Sequence, residues 1–172
     1  MIILLDTNIF VYYLVPPEYL LPADRTRWSE LHDKAKIIYE NILAGKHTLV
    51  VPAIILVEIA SIIQSITGDE SKAAQAIEEI KRLNQEGIAN ILYLDSLLTE
   101  QSVSFVIESK LKSVDAIIGT CSVIRQATLV TNDADLYLAI INIPAEPGVS
   151  DRIDAYLLRA VSIDQLNELF DP

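Results

Sequence analysis

Four acidic side chains interrupt sequence that is otherwise apolar. Asp6 follows a short apolar run and is joined at once by Thr7 and Asn8, in MIILLDTNIF, and Asp133 follows ATLVT with Thr131 and Asn132 before it. Glu58 stands between Val57 and Ile59 in VPAIILVEIAS, and Asp115 opens the apolar part of LKSVDAIIGTCSV. If the four converge they cannot stay ionised unaided, because two unit charges at about 4 Å repel by roughly 4 kcal/mol at an effective dielectric of 20. Protons or cations must relieve that repulsion. A pocket of carboxylate oxygens suits Mg²⁺ or Mn²⁺, which keep several waters for substrate phosphates to replace. Zinc is not indicated, because Cys121, His32 and His47 lack ligand spacing.

Each acid also has a plainer role available. Asp6 and Asp133 have the form of helix N-caps or turn formers, and Asp115 in a first helical turn complements the helix dipole. Asp135 is either a further cap or an assistant to Asp133. Glu58 is different, because an acid on an apolar helix must be paired, protonated or functional.

Convergence depends on the elements that carry these residues. The first apolar run is too short for a helix and apolar at every position, which reads as a strand buried on both faces of a parallel sheet, with Asp6 at its C-terminal end. HTLVVP, NILYLD and ATLVT read as further strands, and DAYLLRAV as another. Between them, 8–15 predicts a helix stopped by Pro16-Pro17, 16–28 a loop or lid, and 29–43 an amphipathic helix closed by Gly45. Residues 53–66 predict a helix buried on most sides, 71–85 a charged amphipathic helix, and 96–110 another. KSVDAIIGTCSVIRQ has helical spacing, with Ser113 as the N-cap; DLYLAIINI predicts a short helix, 144–152 a loop, and SIDQLNELF a closing helix. Strands alternating with helices predict an α/β fold with a mostly parallel sheet and right-handed crossovers. At the carboxyl edge of such a sheet chemistry collects.

Composition sets the outer limits. The 172 residues are about one domain long, 51% hydrophobic, with 5 Gly and 7 Pro, so a sizeable core is expected and a disordered linker is not. The longest apolar stretch, 49–63, is broken by Pro52 and Glu58 and is too short for a membrane span. No basic residue precedes the N-terminal apolar run, which argues against a secretory signal, and one cysteine permits no internal disulfide, as in a reducing cytoplasm. Cys121 is expected in the core. A formal net charge of −11 argues against broad attraction to nucleic acid, though a divalent ion can still bridge acidic protein and polyanion.

Taken in order, LLDTN, VPAIILVEIAS, LKSVDAIIGTCSV and ATLVTNDADL resemble the PIN-domain ribonucleases, most closely the small VapC-type toxins of toxin–antitoxin pairs. The resemblance runs from residue 1 to about 143. It implies a three-layer α/β/α sandwich, hydrolysis of RNA, dependence on Mg²⁺ or Mn²⁺, an antitoxin partner, a homodimer and a cytoplasmic setting. It places catalytic metal ligands at Asp6, Glu58, Asp115 and Asp133, with Thr7, Asn8, Thr131 and Asp135 orienting them. The whole chain is then one PIN-like domain, in which 16–28 and 144–152 are long enough to serve as lid or partner contacts. Lys110 and Lys112, just before Asp115, and Arg25 and Arg27, in the early segment, are candidates to meet RNA phosphates; singly, each also fits a solvated face.

Two rival readings share these residues. The same fold could hold a structural ion as a binding or assembly module without catalysis. Phosphotransferases resembling the haloacid dehalogenase family also place Asp after the first strand, but expect a second Asp two positions later, where this chain has Asn8.

Overall fold

The structure, a computed structural model, describes residues 1–143 and 154–170. Strand β1 (Ile2–Leu5) runs straight into helix α1 (Thr7–Leu14), and after a single 3-10 turn at Pro17–Tyr19 the long helix α2 (Pro22–Leu43) begins. Then follow β2 (Thr48–Pro52), α3 (Ala53–Thr67), α4 (Glu70–Gln85), β3 (Ala89–Leu92), α5 (Ser96–Ser109) and α6 (Ser113–Arg125). The last described elements are β4 (Thr128–Thr131), α7 (Ala134–Ile141), β5 (Ala155–Leu157) and α8 (Ile163–Phe170).

All five strands are parallel, in the order β3-β2-β1-β4-β5. β1 is therefore central, and Ile3, Leu4 and Leu5 are fully buried, as a strand covered on both faces requires. Right-handed crossovers put the helices between β1 and β3 on one face of the sheet and those from β3 to β5 on the other. The packing agrees: α1 contacts α2 and α3, and α3 contacts α4, whereas α5, α6 and α7 contact one another in sequence. The result is a three-layer α/β/α sandwich. α8 returns to pack on α2, where the His47 imidazole donates from Nε2 to the Phe170 carbonyl at 3.0 Å and accepts from the Met1 ammonium at Nδ1 at 3.3 Å.

Several elements depart from the expectations. The segment 16–28 is a 3-10 turn plus the first turns of α2, not an open loop; Pro22 holds the first helical position, where its missing N–H costs nothing, and Asp24 follows in the first turn. Polar PADRTRW disguised a helix start that Pro22 marks. α3 is buried along one face only, through Ile55, Ile59 and Ile63, while Val57 is 65% exposed. The last strand is shorter than DAYLLRAV, because the chain turns into a 3-10 segment at Leu158–Ala160. The loop at 144–152 lies outside the described residues.

Candidate functional site

The sheet brings the first and last acidic motifs together. β1 pairs with β4 through Ile3↔Thr128, Leu4↔Leu129 and Leu5↔Val130, so one further step along both strands sets Asp6 beside Thr131. The backbone completes the pairing, with the Asp6 amide donating to the Val130 carbonyl at 2.9 Å. Strand order reverses direction about β1, so this is the crevice at a topological switch point.

Asp6 is 4% exposed and fully engaged. Its Oδ1 accepts from the Thr7 amide at 2.6 Å, and its Oδ2 accepts from Asn8 Nδ2 at 2.5 Å and from the Thr131 hydroxyl at 2.6 Å. Thr7 in turn donates its hydroxyl to Glu58 Oε2 at 2.5 Å, which joins the second turn of α3 to the end of β1. Glu58 is thus half-buried and paired, as an acid on an apolar helix must be. Asp133 caps α7, its Oδ1 accepting from the Asp135 and Leu136 amides at 2.8 and 2.9 Å. Thr131 links the two motifs, because its oxygen also accepts from the Asp133 amide at 2.9 Å. Asp115 sits in the first turn of α6.

These carboxyls feel one another. Burial pushes the Asp6 carboxyl up to about 6; the hydrogen bonds from Thr131 and Thr7 oppose that rise, while the charges of Asp115 and Glu58 reinforce it. Asp115 is also raised, first by burial and then by Asp133, Glu58 and Asp135, with Lys112 acting the other way. All four predicted acids therefore belong to one electrostatic neighbourhood, and Thr7, Asn8 and Thr131, three of the groups expected to orient them, hydrogen-bond to Asp6 or Glu58 directly. Asp135 is exposed and acts on Asp115 through space. Among the described residues, no group of three or more His, Cys, Asp or Glu side chains is already set around an ion position. The arrangement is an open oxygen-lined face rather than a closed cage. Such a donor set fits a small hard cation that binds through one or two carboxylates and keeps its waters.

The basic candidates separate. Lys110 and Lys112 line a cavity of about 550 Å³ together with Asp115, Asp133 and Asp135. Arg25 is instead committed to its own neighbourhood, donating from Nε to the Leu20 carbonyl at 3.0 Å and from Nη2 to that of Glu18 at 3.3 Å. Neither Arg25 nor Arg27 lines the cavity.

Sequence reasoning missed a support behind the site. The Asn132 amide donates to Asn8 Oδ1 at 3.1 Å, and its Nδ2 donates to the Tyr12 hydroxyl at 2.9 Å. Tyr12 packs edge-on against Trp28 at 4.8 Å, and its carbonyl accepts from His32 Nδ1 at 2.6 Å, so α2 braces the motif from behind. The only sequence signal was the paired occurrence of Asn in DTN and TND. Gly119 was missed too: a Cβ there would stand 2.6 Å from Phe105 Cε1, so glycine is what lets α5 and α6 approach so closely.

The VapBC2 complex from Rickettsia felis, bound to a DNA fragment from its promoter, is similar at 19% identity and a TM-score of 0.51, over 77% of this chain and 89% of that one. A toxin–antitoxin complex from Klebsiella pneumoniae is similar at 20% identity and a TM-score of 0.48, over 88% of this chain and 98% of that one. No curated protein matches. The family model of the PIN domain matches residues 3–140, which carry all four acids, and the chain belongs to that family.

Proposed function

We propose that this PIN-family protein is a divalent-metal-dependent ribonuclease and the VapC-like toxin of a toxin–antitoxin pair. The observation that carries the reading is Asp6. A carboxylate this buried, held by three donors and facing Glu58 and Asp115, is stabilised in its ionised form when a cation joins it. Asp6, Glu58, Asp115 and Asp133 would hold Mg²⁺ or Mn²⁺. When bound, the ion supplies an activated water and a polarised scissile phosphate for in-line attack. Thr7, Asn8 and Thr131 fix the carboxylate orientations by the hydrogen bonds described, and such supporting bonds govern ligand geometry. Asp135 adds negative potential at the rim. Lys110 and Lys112 lie where RNA phosphates approach, and Arg25 and Arg27 contribute only at longer range.

The likeness to a VapBC complex supports an antitoxin as partner, and the homodimer implied by the sequence resemblance belongs to the same reading. Among the described residues no helix is long and apolar enough to cross a membrane, which is consistent with work in the cytoplasm. The whole chain acts as one PIN-like domain, with the start of α2 available for partner contact.

One rival keeps the same fold without catalysis, as a binding or assembly module. A nuclease assay decides between them. Cleavage of single-stranded RNA in Mg²⁺ or Mn²⁺ that is abolished both by EDTA and by Asp115→Ala supports the enzyme; no cleavage in either ion, by protein free of antitoxin, supports the module.

A further inference from the structure

The cavity beside Asp115 and Asp133 is far larger than an ion needs. Its volume of about 550 Å³ falls in the range of small-molecule pockets, and its lining is of two kinds. Phe105, Leu111, Leu138 and Ile143 form apolar walls, while Lys110 and Lys112 stand on the short α5–α6 turn. We propose that this cavity receives one unpaired nucleotide of the RNA next to the scissile phosphate, with its base against Phe105 and its phosphate toward Lys110 and Lys112. The proposal rests on the ribonuclease reading and names how that site takes hold of its substrate.

Charge narrows the occupant. Glu108, Asp115, Asp133 and Asp135 line the same space as the two lysines, so acids outnumber bases four to two, and a bare anion has no place inside. A nucleotide divides suitably: its base is planar and neutral, and its phosphate stays at the lysine side. An arginine-rich peptide would satisfy the acids but would set its own cations against Lys110 and Lys112.

The wall offered to the base is fixed. Phe105 lies against Gly119, where any side chain would displace the ring. Aromatic faces of this kind stack on unpaired bases with little regard to sequence. A base in a duplex would first have to leave its stack. The turn that carries the lysines is equally defined, because Lys110 adopts a left-handed conformation with φ of 60° as it ends α5. Glycine would hold that conformation more easily, so Lys110→Gly removes the ammonium and keeps the turn.

The test is binding in EDTA, where nothing is cut, read by fluorescence anisotropy of a labelled six-nucleotide single strand and of a blunt duplex of the same sequence. Leu138 is 49% exposed, so Leu138→Trp fills the cavity from the surface without touching the core. Expected are a loss of single-strand affinity of at least tenfold in Leu138→Trp, a loss of about fivefold or more in Phe105→Leu, a smaller loss in Lys110→Gly, and unchanged duplex binding throughout. Thermal melts establish that each variant is folded. A folded Leu138→Trp with wild-type affinity for the single strand overturns the cavity assignment, even if the protein still cleaves RNA. Single strands that bind through the cavity but survive Mn²⁺ remove the ribonuclease reading and leave the cavity assignment standing. An oligoarginine peptide whose binding is lost in Leu138→Trp while RNA binding is not would assign the cavity to a protein partner and overturn the proposal.

Discussion

The two halves of the acidic site are built differently. Asp6 and Glu58 lie on the β1 side, where Asp6 is desolvated and each carboxylate is tied to a neighbour by a short hydrogen bond. Asp115 and Asp133 face the open cavity with two lysines, and the hydrogen bonds recorded on Asp133 go to the backbone it caps. One half is rigid before anything binds; the other is accessible. An ion needs the first property and a polymer needs the second, and the two stand side by side along one edge of the sheet.

This contrast can be broken most forcefully at Asp6. Asp6→Asn keeps the volume but removes the buried charge, and RNA cleavage is expected to fall below detection in single-turnover assays while circular dichroism stays native. Retained activity would end the distinction between the halves.

The pH dependence comes next in size. The Asp6 carboxyl is raised from 3.8 to about 6, so between those values the folded state holds a proton that the unfolded chain has lost. Stability of the ion-free protein is therefore greatest from this group below pH 4 and is lost as pH rises toward 6, by up to about 3 kcal/mol for a shift near two units. Denaturant melts across that window should show a steeper decline in the wild type than in Asp6→Asn. Equal slopes would mean that Asp6 is not desolvated.

Thr131→Val tests the rigid half more gently. It deletes the hydroxyl shared by Asp6 and Asp133 without altering the strand, and the affinity for Mn²⁺ by calorimetry should drop about 10- to 100-fold. A matching change at the open half has the smallest effect. Lys112→Ala should reduce the salt slope of RNA binding by about one, whereas Arg25→Ala should leave it unchanged, because that guanidinium holds the turn before α2.

Much of the rigid half was legible in sequence, because it follows from strand ends. An apolar strand followed by Asp-Thr-Asn, and another closed by Thr-Asn-Asp, have one geometry available in a parallel sheet, and the register delivered it. Glu58 was legible by incongruity, as a charge in an apolar helix. The supports were not: the reach of Asn132 to Tyr12, and of Tyr12 to Trp28, depends on how α2 crosses α1, which no local pattern encodes. The start of α2 was hidden by polar composition, although Pro22 supplied the cue. The open half was only partly readable. Lysines near an acid are common, and what sets Lys110 and Lys112 apart is the closeness of α5 and α6, a property of Gly119 and Phe105 rather than of charge.

The central place of the first strand has a consequence for biosynthesis. β1 is held on one side by β2 and on the other by β4, so a growing chain leaves one flank of its opening strand unpaired until residue 131 has emerged. The hydroxyl that steadies Asp6 arrives with that same stretch. The acidic edge that joins Asp6 to Asp133 through Thr131 therefore comes together only once β4 has been made.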